Sequence, residues 1–173
     1  MTSKQRGFTL IELVVYAALV SVVGGIVLGL MIPMYKAGAE ARISRRINTS
    51  GALMMERLMR ETKDAESIKT ASSTFATHPG VFVLNSTNAS STGGTLKFSL
   101  SGGRGILTYG DGSSQFLTSS QTEISELKFW RLVSTTSEGV RVKLTISDTS
   151  AGSTTRVRTF YGSAILRGSY IAK

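Results

Sequence analysis

A long apolar run with one acidic residue near its start dominates the N-terminal part of this chain. After Arg6 the first charged residue is Glu12, and Leu13–Tyr35 contains no charged residue at all. As an α-helix, Leu13–Pro33 would extend roughly 31 Å, which is about the thickness of the hydrocarbon core of a bilayer. The run is therefore long enough to span a membrane.

A secretory signal and a plain membrane anchor are two simple interpretations of this run. A secretory signal has an apolar region of about 7–15 residues before a small-residue cleavage site. Ala37-Gly38-Ala39 fits such a site, but the run before it is too long. A plain anchor explains the length and leaves Glu12 without a role, because an unpaired ionisable group in a membrane costs on the order of a few kcal/mol.

The residues around Glu12 favour a third interpretation. Gly7-Phe8-Thr9-Leu10-Ile11-Glu12 resembles the class III signal peptide of type IV pilins and type II secretion pseudopilins. The resemblance implies that a prepilin peptidase cuts after Gly7 and methylates the new amino group of Phe8. It also implies that Glu12 pairs with the terminal amine of a neighbouring subunit. A carboxylate in the first helical turn suits the helix dipole, and an unpaired charge in a dry fibre core would be expensive.

The charges that flank the apolar run do not settle its orientation. Lys4 and Arg6 precede it, within a predicted leader of residues 1–7. Against one acid, Glu40, four basic residues follow the run: Lys36, Arg42, Arg45 and Arg46. The positive-inside rule alone would place the C-terminal side in the cytoplasm. The motif implies the opposite orientation, with the C-terminal domain outside the cytoplasm.

The centre of the run contains residues that form helices poorly. Gly24, Gly25, Gly29 and Pro33 lie there, and each glycine costs ~1 kcal/mol relative to alanine in a helix in water. Glycine is also common in membrane helices, and Gly25 and Gly29 form a spacing that often marks close helix packing in lipid. The family resemblance implies a second role, in which this region loosens as the subunit moves from the bilayer to the fibre.

After the apolar run, residues 36–70 are predicted to continue the helix to about Lys69 as an amphipathic segment. Small and apolar residues recur at spacings of three, four and seven, namely Ile47, Gly51, Met54, Leu58, Ala65 and Ile68. Met54, Met55 and Met59 are interpreted as core residues that pack against a sheet, rather than as a soft binding surface.

Residues 71–173 are predicted to form an antiparallel sheet that packs on the upper half of the helix, which gives an α+β fold of the pilin type. Val140, Val142, Leu144 and Ile146 alternate with Arg141, Lys143 and Thr145, so one face is predicted to be buried and the other wet. Val157 alternates with Arg156 and Arg158 in the same manner. Gly110-Asp111-Gly112 is a hairpin-turn signal. The predicted strands are Val81–Leu84, Thr95–Leu100, Gly105–Tyr109, Ser114–Thr118, Ile124–Val133, Val140–Ser147 and Thr155–Arg167.

The last strands carry a looser resemblance. The segments that read ISELKFWRL and GVRVKLTIS, and Thr155–Arg167 with its Leu166-Arg167 step, are similar to minor pseudopilins of the J type and related minor pilins. This similarity favours a minor, priming subunit over the abundant fibre subunit.

The sequence gives little support to catalysis, and no cofactor or metal is predicted. The chain has no cysteine, which excludes disulfides, thiolate metal sites and a cysteine nucleophile. Its one histidine, His78, precedes a proline and has no obvious metal-binding companions. No G-x-S-x-G motif is present. The chain is predicted not to be an enzyme.

Nucleic-acid binding is the main alternative function. The net charge is +9, and a basic sheet with interleaved aromatic residues can hold DNA through phosphate contacts and stacking. Phe129, Trp130, Phe160 and Tyr161 would supply the aromatic rings, although a solvated positive face with inward aromatics is the favoured interpretation. The possible polyanion contacts are Lys128, Arg131, Arg141, Lys143, Arg156 and Arg158.

Taken together, these observations predict a structural subunit of a type IV pilus-like filament that serves secretion, adhesion, motility or DNA uptake. Residues 8–35 would form the membrane-spanning and fibre-core helix. The expected partners are other pilin or pseudopilin subunits, the prepilin peptidase and an inner-membrane assembly platform. The protein is expected in the cell membrane as a single-pass protein, and then in a filament in the periplasm or at the cell surface.

Overall fold

One long helix and two antiparallel sheets make up the protein. The computed structural model describes residue 7 and residues 9–86, 94–148 and 155–168. The chain divides into two compact units, Met1–Arg42 and Ile43–Lys173. The second unit contains the end of the helix together with both sheets, so the predicted α+β, pilin-like fold class is confirmed.

The helix, α1, spans Leu10–Asp64. The sequence predicts a helix to Lys69, so α1 ends five residues early. The apolar spacing continues beyond that end, and Ala65 and Ile68 are buried. The backbone, however, turns to pair with a strand, and the N–H groups of Glu66 and Lys69 donate to carbonyls of that strand. Backbone N–H groups of residues 167 and 168 satisfy carbonyl groups at the end of the helix, at Lys63 and Ala65.

All seven predicted strands are present with boundaries shifted by at most two residues, and a short strand precedes them. The first sheet has five strands in sequential order. They are β1 (Ser67–Ile68), β2 (Phe82–Asn85), β3 (Thr95–Ser101), β4 (Arg104–Tyr109) and β5 (Ser114–Phe116). The second has three strands, also in sequential order: β6 (Glu123–Val133), β7 (Glu138–Asp148) and β8 (Arg156–Ile165).

The prediction of a single sheet was wrong. The chain leaves the ladder after β5, where the N–H of Leu117 donates to the carbonyl of Gly105, and β6 starts a new ladder instead of pairing with β5. The hairpin turn predicted at residues 110–112 is confirmed between β4 and β5, and Gly112 there has φ +87°. Glycine adopts this left-handed conformation without steric cost.

The core of the second unit lies between α1 and the two sheets. Met54 and Leu58 of α1 are fully buried, and Met55 and Met59 pack against the same cluster. The methionines are therefore core residues, as predicted. Phe82 stacks on Phe129 with ring centroids 5.1 Å apart. Further core residues come from several strands: Leu84, Leu96, Phe98, Leu107, Leu127, Val140, Val142, Leu144 and Ile146.

The prediction for β7 is confirmed on its buried face and partly wrong on its wet face. Thr145 is only 8% exposed because it lies on the central strand of the second sheet, with its hydroxyl 3.1 Å from that of Thr159. The prediction for Val157 was wrong, since this side chain is 60% exposed. The register pairs Arg158 with the buried Ile146, which places even-numbered residues of β8 on the helix side.

Candidate functional site

The start of α1 is built by a capping interaction that the sequence analysis missed. The N–H of Glu12 donates to Oγ1 of Thr9 at 3.4 Å, and the N–H of Leu13 donates to the carbonyl of Thr9 at 3.2 Å. Thr9 is thus the N-cap, and Glu12 is the third residue of the helix. The spacing Thr-x-x-Glu is the capping-box pattern, which could have revealed this role. The cap fixes Glu12 in the first turn, where the helix dipole favours a negative charge.

Glu12 projects from an apolar and fully exposed segment. Its side chain is exposed, as are those of its neighbours Ile11 and Leu13. The most apolar 18-residue window of α1 has no buried residue, and it meets the length and composition of a membrane-spanning helix. Within the described part of the chain, Glu12 has no ion-pair partner. In a bilayer or a dry fibre core, this carboxylate needs a cation from another molecule.

The predicted weak region of the membrane helix lies inside an unbroken α1. Gly24, Gly25 and Gly29 face open space, and Pro33 is accommodated within the helix. Because proline has no N–H, the carbonyl of Gly29 lacks its usual helical donor four residues later. The helix is therefore weakened at Gly29, because this residue is flexible and its carbonyl lacks a helical hydrogen bond. Loosening of this region in a fibre stays a prediction.

Part of the predicted cleavage site lies outside the described residues. Gly7 is described and exposed, whereas Phe8 and the leader residues Lys4 and Arg6 are not among the described residues. Because α1 begins at Leu10, the predicted scissile bond after Gly7 precedes the helix in the sequence.

The six predicted polyanion contacts do not share one face. In the register of the second sheet, Lys128 pairs with Lys143 and Arg141 pairs with Trp130, on the face turned away from the core. Arg131, Arg156 and Arg158 have the opposite parity, because they pair with Val140, Asp148 and Ile146. We call the first group and its neighbours, Lys128, Arg141, Lys143, Trp130, Tyr161 and Glu126, the outer-face cluster.

The outer-face cluster contains its own neutralising acid. Glu126 accepts from Lys128 Nζ at 2.8 Å and from Lys143 Nζ at 2.6 Å, one ammonium on each carboxylate oxygen. The hydrogen bonds from Lys128 and Lys143 lower the pKa of Glu126 to about 2. The bond to Glu126 also raises the pKa of Lys143. Two of the three outer-face cations are thereby engaged within the sheet, which weakens the case for phosphate binding.

The other three predicted contacts are also engaged. Arg131 pairs with Glu138, and Arg158 donates to the Asn48 side chain at 2.5 Å. Arg156 lies opposite Asp148 in the register, and Asp148 is buried and binds Arg46 at 3.1 Å. Arg131 thus connects β6 to β7, Arg158 connects β8 to α1, and the Arg46–Asp148 pair connects α1 to β7. The aromatic residues divide in the same way, because Phe129 is buried in the core and Tyr161 is 63% exposed on the outer face.

The described residues show no arrangement suited to metal binding. They contain no group of three His, Asp or Glu side chains that could hold a metal ion. His78 is exposed and accepts the N–H of Leu127 on Nδ1 at 3.0 Å, so it tethers the loop before β2 to β6. Asp111 accepts from Ser113 in the turn, and this bond lowers its pKa.

Comparison with known proteins identifies the N-terminal segment. Residues 2–28 match the family model of the prokaryotic N-terminal methylation motif. Searches of the curated proteins and of the solved structures found no significant match. The matched segment is a class III signal of the kind found in type IV pilins and pseudopilins, and it supports an interpretation of the chain as a type IV pilin-like precursor. The motif and the long apolar helix together support anchoring in a membrane.

Proposed function

We propose that this protein is a structural, minor subunit of a type IV pilus-like filament. In this proposal, prepilin peptidase removes residues 1–7 by cutting after Gly7 and then methylates the amino group of Phe8. Residues 8–35 hold the precursor in the membrane and later pack in the fibre core. The second unit, with its two sheets, lies outside the cytoplasm and contacts other subunits.

One observation supports the proposal most directly. Glu12 is fixed in the first turn of an exposed apolar helix, inside the segment that matches the methylation motif. A single carboxylate there needs a cation once the helix enters a dry environment. The methylated amine of a neighbouring subunit would supply that charge, so assembly and charge neutralisation would occur together.

The priming role rests on the resemblance of the C-terminal strands to minor pseudopilins of the J type. The structure is compatible with a subunit that acts through contacts rather than through catalysis. Its described surface includes an open, mainly polar depression lined by Arg104, Gln121 and Glu123.

Processing gives the first test. We expect the mature chain from its own cells to begin at Phe8 with one added methyl group, as measured by intact-protein mass spectrometry. The Gly7→Ala variant should remain at precursor length on a gel, because the peptidase reads the residue before the scissile bond. A Gly7→Ala chain that matures normally, or a native chain that begins at Met1, would contradict the proposal.

A further inference from the structure

The four sheet edges of the second unit differ sharply in how they are protected. β1 and β5 are edges of only two and three residues. The free edge of β6 is covered, because the N–H groups of Ala76 and Gly80 donate to the carbonyls of Phe129 and Leu127. β8 forms the remaining edge and extends over ten residues. Within the described part of the chain, no backbone group bonds to its outer side.

The outward-pointing backbone groups of β8 can be assigned from its pairing with β7. The N–H of Leu166 donates to the carbonyl of Glu138, which makes that pair a hydrogen-bonded one. Hydrogen-bonded and non-bonded pairs alternate in an antiparallel ladder. Even-numbered residues of β8 therefore bond to β7, and odd-numbered residues direct both N–H and C=O away from the sheet. They are Val157, Thr159, Tyr161, Ser163 and Ile165.

This edge lacks the features that usually prevent strand addition. Proteins protect exposed edges with bulges, prolines, charges or shortness. β8 pairs with β7 in an unbroken register over its ten residues, and it contains no proline. Its only charges are Arg156 and Arg158, at the start. Residues 159–165 read TFYGSAI, a segment without charge, and Tyr161 and Ile165 are 63% and 52% exposed.

The charges at the start of β8 indicate which kind of strand would fit. Arg46, Arg156 and Arg158 gather there around one acid, Asp148. Arg158 bonds to the neutral Asn48 amide, so this end of the edge has an excess of positive charge. A complementary strand would be acidic at this end, and uncharged and strand-forming along residues 159–165.

We propose that the open edge of β8 is a docking site for an extended segment of a neighbouring filament subunit, which adds as a fourth strand to the second sheet. The identity of the partner as a subunit rests on the proposed function. Main-chain hydrogen bonds to the odd-numbered residues would supply affinity, and the arginine end would set register through acidic side chains. The side chains of Tyr161 and Ile165, which are exposed on the outer face of β8, would contact side chains of the added strand.

Photo-crosslinking of the full chain in its own cells tests the docking site. Benzoylphenylalanine placed at Val157, Tyr161 or Ile165 should each form an adduct with one other protein that itself has an N-terminal methylation motif. Because paired strands advance together, successive labels should map to partner residues spaced four apart. The same label at Gln115 on β5 should give no such adduct. Adducts confined to the chain's own residues, or adducts without this spacing, would overturn the inference.

A matched pair of variants isolates the backbone contact. Ser163→Pro removes an outward N–H without removing a bond to β7, and it should lower the Tyr161 adduct about tenfold, as expected for losing one or two hydrogen bonds. Ser163→Ala keeps the N–H and should leave the yield unchanged. Trp130 fluorescence on unfolding reports whether Ser163→Pro still folds. If Ser163→Pro does not fold, the spacing of the adducts in the parent chain tests the docking site. Equal adduct yields from a folded Ser163→Pro chain and the parent would overturn the inference.

The two proposals fail in different ways. The N-terminal mass and the presence of the chain in sheared filaments measure the proposed function independently of β8. A mature, filament-incorporated chain that gives no adduct at β8 would overturn the docking site and leave the filament role intact. A chain that is never processed would overturn the filament role.

Discussion

In the proposed function, Glu12 would link processing to assembly at the scale of one residue. Its backbone N–H is capped by Thr9 in the first turn of α1, and its carboxylate has no ion-pair partner within the described part of the chain. We expect Glu12→Ala to be processed normally but to enter filaments about 100-fold less, since one partner of a buried ion pair is worth about 3 kcal/mol or more when removed. Glu40→Ala, on the same helix beyond the apolar run, is the matched control. Normal filament entry of Glu12→Ala, measured by immunoblotting of sheared filaments, would contradict this role.

Glu126 makes the second unit sensitive to acid. The hydrogen bonds from Lys128 and Lys143 lower its pKa in the folded state to about 2, from the ordinary value of 4.5. The stabilisation is therefore complete above pH 4.5 and is lost as the pH falls towards 2, because the unfolded chain takes up the proton first. We expect the midpoint of unfolding, followed by Trp130 fluorescence of the full chain in detergent, to fall across this window.

Glu126→Gln should reduce the acid dependence without abolishing it. Asp111 also has a lowered pKa, caused by its hydrogen bonds with Ser113, and it would retain part of the slope in the same direction. If the unfolding midpoint of Glu126→Gln had the same pH dependence as that of the parent chain, the ion pairs of Glu126 with Lys128 and Lys143 would not contribute to stability.

At the scale of the elements, glycine has a different packing role in the two halves of α1. A Cβ at Gly51 would overlap the ring of Phe160, whereas a Cβ at Gly38 would meet nothing within 4 Å. We expect Gly51→Ala to lower the free energy of unfolding by about 1–2 kcal/mol through overpacking. Gly38→Ala should not lower it, since alanine is the better helix former. Denaturant unfolding of both variants in detergent measures the difference, and equal stabilities would show that Phe160 moves aside at little cost.

At the scale of the whole molecule, the net charge of +9 is distributed rather than focused. Among the described basic residues of the second sheet, Lys128, Arg141 and Lys143 share the outer face. Any binding of the full chain to duplex DNA should therefore weaken with a slope of about −3 in log K against log salt, rather than the about −5 expected for six phosphate contacts. A slope near −5, measured by fluorescence anisotropy, would show that all six predicted basic residues contact phosphates at once.

Much of the fold was predictable because its signals are local. The length of the apolar run, the alternation along β7 and the Gly-Asp-Gly turn each depend on neighbouring residues, and each led to the correct element. The capping role of Thr9 was predictable in principle from its spacing to Glu12. The end of α1 could not be predicted in this way. Ala65 and Ile68 keep the helical spacing of buried residues, but the backbone in this region pairs with β2.

The sequence by itself determined the membrane helix, the processing signal and the strands, since periodicity and motif spacing are properties of the chain alone. Tertiary structure decided how those strands divide into two sheets and which face each basic residue occupies. The reason is that register is set by pairing between distant segments: a shift of one residue reverses every side chain. Arg156 and Arg158 therefore lie on the helix side, Val157 lies outside, and β8 is left as the long open edge.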